Sequence, residues 1–201
     1  MSIVNIPDWE TLYQAQDTGW DRGEVSPALH SFMAKGAFKR VKSVLIPGCG
    51  RGYEVLELAR LGYEVTALDI APSAISHLEQ RLKDEAVKAN TACVNIFAYE
   101  AAERFDVVYE QTCLCAIAPS EREKYAQAVH GWLKPNGKLL LNLMQTGDVG
   151  GPPFHCDLMD VKQLFPDELW HWQEGPPFMT ERGKDSVSPR FELGYILVKK
   201  T

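Results

Sequence analysis

Hydrophobic positions along the chain fall into short runs separated by polar, glycine-bearing turns, and the runs alternate between two periods. Residues 41–47 form a brief apolar run ending in Gly48-Cys49-Gly50-Arg51-Gly52. Residues 54–61 follow with Val55, Leu58 and Ala59 at helical spacing, and Gly62 supplies a C-cap. Residues 63–69 read as a second strand. Pro72 then opens a helix in which Ile75, Leu78 and Leu82 share a face. Residues 91–97 and 105–110 give a third and fourth strand. Ser120-Glu121-Arg122-Glu123 has the capping-box pattern, and its helix turns Tyr125, Val129 and Trp132 inward before breaking at Lys134-Pro135-Asn136-Gly137. A fifth strand at 138–144, a glycine- and proline-rich loop at 147–154 and a short helix near 157–164 come next. Strands at 168–174 and 191–199 close the chain.

Strand–helix alternation of this kind predicts an α/β fold: a doubly wound, mainly parallel seven-stranded sheet with right-handed crossovers. The first forty residues do not continue the alternation. They carry Trp9, Tyr13, Trp20 and Phe32, and read as a cap folded over the sheet. A length of 201 residues, with 45% hydrophobic and 24% charged, suits one domain. The net charge of −6, with basic residues scattered, argues against a nucleic-acid partner. No apolar run approaches the ~20 residues of a membrane span, and the N-terminus lacks the pattern of a signal peptide. A cytoplasmic protein, monomeric or weakly dimeric, is the expectation. The five cysteines then read as reduced thiols, and Cys113-x-Cys115 lacks the second ligand pair of a zinc site.

In open α/β sheets ligands lie at the carboxyl ends of the strands, where Gly48, Gly50 and Gly52 occupy the first strand-to-helix turn. Glycine lets backbone approach a ligand and tolerates positive φ. The second strand ends in Asp69, at a distance along the chain that suits a carboxylate accepting from both hydroxyls of a ribose. A tight turn with a helix-capping Asp is the alternative. The G-x-G-x-G spacing departs from the G-x-G-x-x-G dinucleotide fingerprint, and no P-loop Lys-Ser/Thr follows. S-adenosylmethionine has a ribose, no phosphate and a cationic sulfonium, so an acidic protein suits it better. A methyltransferase is therefore favoured over a nicotinamide-dependent oxidoreductase.

Residues 44–55 (VLIPGCGRGYEV), 67–73 (ALDIAPS), 105–117 (FDVVYEQTCLCAI), 132–137 (WLKPNG) and 150–154 (GGPPF) resemble the thiopurine S-methyltransferase superfamily, nearest its halide/thiocyanate/thiol methyltransferase branch. The branch's N-terminal W-x3-W-x6-W-D-x-G is matched by Trp9, Tyr13, Trp20, Asp21 and Gly23, with Tyr in the middle position. The resemblance implies a Rossmann-like class I methyltransferase that uses S-adenosylmethionine. It implies that Trp9, Tyr13 and Trp20 cover the methionine end and sulfonium, with cation–π attraction as the physical basis. Gly48 would lie under the methionine portion, Asp69 would hold the ribose, Asn95 and Ile96 would meet the adenine, and Gly50, Gly52, Ile70 and Gln111 would also contact the cofactor. Gln111 stands where the branch usually has Tyr beside the reacting centre, Asn95 where it usually has Asp, and Cys113-Leu114 where Phe-Phe is common.

The reaction so implied is an in-line displacement on the sulfonium methyl by a soft nucleophile: a thiol or thiolate, thiocyanate, a halide or a thiopurine-like sulfur. Gln111, Tyr109 and Glu110 are candidates beside the reacting atoms, and Cys113, Phe154 and Arg190 for the acceptor. His155 and Glu110 are candidates for a base if the thiol is neutral. Other readings are a tellurite- or selenium-detoxifying methyltransferase on the same core, and a non-catalytic cofactor sensor. No metal is expected.

Overall fold

The computed structural model describes residues 6–182 and 190–201, except that nothing is described of the side chains of 181, 182 and 190. Its elements are α1 (Trp9–Gln14), α2 (Pro27–Ala34), β1 (Ser43–Pro47), α3 (Tyr53–Arg60), β2 (Glu64–Asp69), α4 (Pro72–Asp84) and β3 (Asn90–Cys93). Then follow β4 (Phe105–Gln111), α5 (Arg122–Trp132), β5 (Leu133–Gln145), α6 (Leu158–Leu164), β6 (Trp170–Trp172), β7 (Phe178–Arg182) and β8 (Arg190–Lys199). The sheet runs β3-β2-β1-β4-β5-β8-β6, with β7 also on β8. The strands from β1 to β5 are parallel, and β8 runs antiparallel to β5. The order reverses direction at β1, the switch point beside which an open α/β sheet leaves a crevice.

Alternate side chains of the central strands feed two cores. Val44, Ile46, Val107 and Tyr109 face α2, α3 and α4, whereas Leu45, Val108, Leu139 and Leu141 face α5 and α6. Phe32 belongs to the first core, edge-on to Tyr109 at 5.9 Å and to Phe178 at 4.7 Å. So α2 is part of the core layer rather than of a cap. Ser26 starts it by accepting from the N–H of Ala28.

Among the described residues eight strands are present where seven were expected. The eighth is β7, and it shares one edge of β8 with β6. Phe178–Arg182 pairs with residues 190–194 of β8, and Trp170–Trp172 with residues 197–199. The third strand stops at Cys93, because Asn95 accepts from the N–H of Phe97 and turns the chain into a 3-10 turn at Ile96–Ala98. The capping box is not formed. A 3-10 turn at Pro119–Glu121 leads into α5, whose N-cap makes no side-chain hydrogen bond. Among the described residues no helix is long and apolar enough to cross a membrane.

At the amino end of the sheet, Asp106 ties three segments together. One carboxylate oxygen accepts from the N–H groups of Lys42 (2.8 Å) and Ser43 (2.9 Å), and the other meets Lys134 Nζ at 2.6 Å. Burial pushes its pKa up, but the lysine and the two amides outweigh burial and hold it at about 2. The ordinary value is 3.8, so the ionised group contributes stability above about pH 4 that is lost as pH falls through about 2. We expect Asp106→Asn to cost about 1 kcal/mol at neutral pH, with solvent screening discounted, and to flatten the acid limb between pH 4 and 2. Acid titration followed by circular dichroism checks this, and an unchanged acid limb would contradict it.

Candidate active site

A cavity of about 620 Å³ opens over the carboxyl ends of β1, β2 and β4. This lies within the usual range for small-ligand sites, about 300–1,000 Å³. Its floor is the glycine turn. Gly48 has φ +61°, and a Cβ there would stand 2.9 Å from Cys113 Sγ, so the turn passes directly beneath the chain leaving β4. The N–H of Cys49 donates to the carbonyl of Leu68 at 2.8 Å. Asp69 accepts from the N–H of Gly50 (2.8 Å) through one oxygen and from that of Ala71 (2.9 Å) through the other. Burial raises its pKa, and these amide bonds work against that rise. A carboxylate has about four lone-pair sites, and the amides of Gly50, Ala71 and Ile70 leave part of that capacity unused. Asp69 thus braces the turn without serving as the side-chain cap of α3 or α4, and keeps acceptor capacity toward the cavity it lines.

The roof is α1 and the segment through Glu24. Trp20 packs edge-on to Trp9 (5.2 Å) and Tyr13 (5.6 Å), and the Tyr13 hydroxyl sits 3.0 Å from where a Gly50 Cβ would project. Polar contacts fasten this roof to the body of the protein. Glu10 accepts from Ser73 N–H (2.9 Å) and Oγ (2.6 Å) at the start of α4, whose own N-cap has no side-chain bond. Arg51 Nε reaches Asp21 at 3.0 Å, and Arg22 meets Glu192 at 3.4 Å.

Of the candidates named from sequence, Trp9, Tyr13, Trp20, Gly48, Gly50, Asp69, Ile70, Asn95, Ile96, Gln111 and Cys113 all border the cavity. Several others do not. Gly52 (φ +72°) caps α3, and a Cβ there would strike Leu78 at 2.4 Å, so it serves helix packing. Phe154 is buried beside Cys115, whose carbonyl takes its N–H, and the loop offers Pro152 and Pro153 to the cavity instead. Tyr109 is buried among α2 and β7. Glu110 points to the opposite face, accepting from Leu114 N–H at 2.7 Å. His155 Nδ1 accepts from the N–H groups of Thr146 and Gly147, bracketing a loop. Arg190 opens β8, but its side chain lies outside the described ones.

The sequence pattern does not single out Glu10, Arg22, Glu54, Asn142 or Glu192. Arg22 lies between two motif residues, Asp21 and Gly23. Glu192 and Asn142 are fully buried polar groups on strands β8 and β5, a condition that hydropathy alone does not reveal. Glu54, in the first turn of α3, accepts from Ser26 N–H, and burial raises its pKa. Burial also pushes the Cys49 and Cys113 thiols upward, so these two sulfurs stay protonated.

The wall fits S-adenosylmethionine. Asp8, Glu10, Asp21, Glu24, Glu54, Asp69 and Glu121 line it against only two guanidinium groups, Arg22 and Arg51, and three aromatic rings lie beside the glycine turn. A cation is welcome there, and the Asp69 carboxylate has room for hydroxyl donors. Fold and site together are those of an S-adenosylmethionine-dependent methyltransferase. The chain is similar in structure to 1,6-didemethyltoxoflavin-N1-methyltransferase of Burkholderia thailandensis, solved with bound 1,6-didemethyltoxoflavin and S-adenosylhomocysteine. The TM-score is 0.73 at 16% identity, over 96% of this chain and 86% of that one.

The family is narrower. The thiopurine S-methyltransferase (TPMT) family model matches residues 4–187, and the chain belongs to that family. It is 29% identical to the probable thiol methyltransferase 2 of Arabidopsis thaliana, over 82% of this chain and 74% of that protein. It is 27% identical to a thiopurine S-methyltransferase of Vibrio cholerae, over 78% and 79%.

Two outcomes follow from this geometry. Gly48→Ala combines a left-handed φ with contact against Cys113 and is expected to cost about 2 kcal/mol, read as a lowered denaturation midpoint. A variant as stable as the wild type would contradict the close approach. Glu110 is pushed by burial from 4.5 to about 7. Between those values the folded protein keeps a proton that the unfolded chain has released, so rising pH lowers stability across the window, by at most about 1.4 kcal/mol per unit, and leaves it level above about pH 7. In Glu110→Gln the difference in denaturant stability between pH 5 and pH 8 should shrink, and an undiminished difference would refute the assignment.

Proposed function

We propose that this methyltransferase acts on a small soft nucleophile: a thiol or thiolate, thiocyanate, a halide or a thiopurine-like sulfur. The observation that carries the reading is the order of the strand ends. Adenine is assigned to Asn95 and Ile96 beyond β3, ribose to Asp69 and Ile70 on β2, and methionine to Gly48 and Gly50 after β1. The next strand end is β4, which leaves the acceptor to Gln111, Thr112 and Cys113. The parallel register Leu45↔Val108, continued three residues, sets Gln111 level with Gly48.

Bound in this way, S-adenosylmethionine supplies an electrophilic methyl group. Trp9, Tyr13 and Trp20 cover it and exclude water. Holding nucleophile and methyl in line accounts for ~7–11 kcal/mol of barrier in well-oriented systems. An acceptor that is already anionic needs no base. For a neutral thiol, Glu54 is a better candidate than His155 or Glu110, because it is a buried carboxylate in the wall within electrostatic reach of Arg22. The reading extends to a small-molecule enzyme of the cytoplasm, monomeric or weakly dimeric, without nucleic-acid or membrane partners. The net charge of −6 and five free cysteines, four of them buried, support it.

Calorimetry with S-adenosylhomocysteine should give micromolar binding to the wild type and about a hundredfold loss in Asp69→Asn; an intact affinity in the variant would refute the ribose assignment. Iodide, thiocyanate, hydrosulfide, thiophenol and a thiopurine should then be screened for labelled methyl transfer. Failure of every one would overturn the acceptor class and leave tellurium or selenium acceptors as the next to try.

A further inference from the structure

Gln111 is held by three side chains beneath the wall it forms. Its Oε1 accepts from the Tyr109 hydroxyl at 2.7 Å and from Asn142 Nδ2 at 3.2 Å. Its Nε2 donates to Glu192 Oε2 at 3.2 Å. Asn142 Nδ2 also donates to that Glu192 oxygen, at 2.5 Å. Tyr109 and Glu192 are wholly buried and Asn142 nearly so. A glutamine amide flips between two orientations unless its partners distinguish oxygen from nitrogen. Here they do. Flipping the amide would set Oε1 against the Glu192 carboxylate and oppose Nε2 to the Asn142 donor. Glu192 Oε2, which already accepts from Asn142 Nδ2, selects the orientation with nitrogen toward β8.

With that orientation fixed, one Nε2 hydrogen serves Glu192 and the second is left for the cavity that Gln111 lines. We propose that Glu192, with Asn142 and Tyr109, is a positioning residue that locks the Gln111 amide so that its remaining N–H hydrogen-bonds the attacking atom of the acceptor. That selects nucleophiles whose attacking atom is an anionic hydrogen-bond acceptor, such as thiolate, hydrosulfide or thiocyanate. A neutral donor orients such an atom while neutralising less of its charge than a cation would. The proposal rests on the assignment of β4's end to the acceptor and adds what recognises it.

Thiocyanate serves as the probe. Calorimetry first establishes the S-adenosylhomocysteine complex for each variant, and an absence of that complex in the wild type counts against the cofactor geometry rather than against the lock. Thiocyanate is then titrated into the complexes of wild type, Gln111→Met, Glu192→Gln, Tyr109→Phe and the double variant of Gln111→Met with Tyr109→Phe, with the Gln111 side-chain amide followed by ¹⁵N NMR. We expect the probe to shift one of the two Gln111 N–H signals, and each single variant to bind it about tenfold more weakly. Tyr109→Phe, which leaves the Glu192–Arg22 pair in place, should add nothing on top of Gln111→Met, because Tyr109 acts through that amide. Should Glu192→Gln not fold, the cycle with Tyr109→Phe carries the test. Additive losses, wild-type thiocyanate affinity in the single variants, or Gln111 signals unmoved by thiocyanate would each overturn the proposal.

Discussion

The buried carboxylate of Asp69 is the point on which the site depends. It joins the turn after β1 to the turn after β2 through the amides of Gly50 and Ala71, and it does so at the edge of a cavity rather than inside a core. These amide bonds offset part of the cost of burying the charge. Because these bonds fix the backbone of the glycine turn, Gly48 can pass close beneath Cys113. The floor is therefore set by backbone that carries no side chain, and the carboxylate bracing it is also the group with acceptor capacity to spare.

Around that floor the parts divide by physical role. Parallel strands bring five loops to one edge, and the reversal of order at β1 opens the crevice between them. The roof adds apolar rings and few polar fastenings: Glu10 on α4, Asp21 on Arg51 and Arg22 on Glu192. Of these, the exposed contacts are worth little individually. A roof held by a few weak contacts is one that a cationic ligand beneath three aromatic rings can help to close. The buried network of Glu192, Asn142, Gln111 and Tyr109 behaves otherwise, since breaking one bond there strands charge or polarity away from water.

Much of this was legible in the chain. The runs at β1, β2, β4 and β5 announce themselves because parallel strands covered on both faces are continuously apolar, and the glycine turn with Asp69 follows from where such strands must end. The resemblance carried Trp9, Tyr13, Trp20, Asn95 and Gln111 to positions that now border one cavity. What escaped did so for physical reasons. β7 is a short edge strand that depends on β8 for every backbone bond, so its local pattern is weak. Gly52 and Gly48 are alike in a motif, yet one meets Leu78 in the helix layer and the other lies under the ligand space. Phe154 sits in a loop whose folding turns the prolines, not the ring, toward the cavity. Arg22 and Glu192 are 170 positions apart and meet only once the sheet has formed.

The most direct measurement is a crystal structure of the S-adenosylhomocysteine complex. The expected result is a ligand laid along the strand ends, with adenine at Ile96, ribose hydroxyls on Asp69, the methionine portion over Gly48, and the sulfur open toward Gln111 beneath Trp20. A ligand running in the opposite sense, or one whose sulfur faces away from the end of β4, would contradict the account.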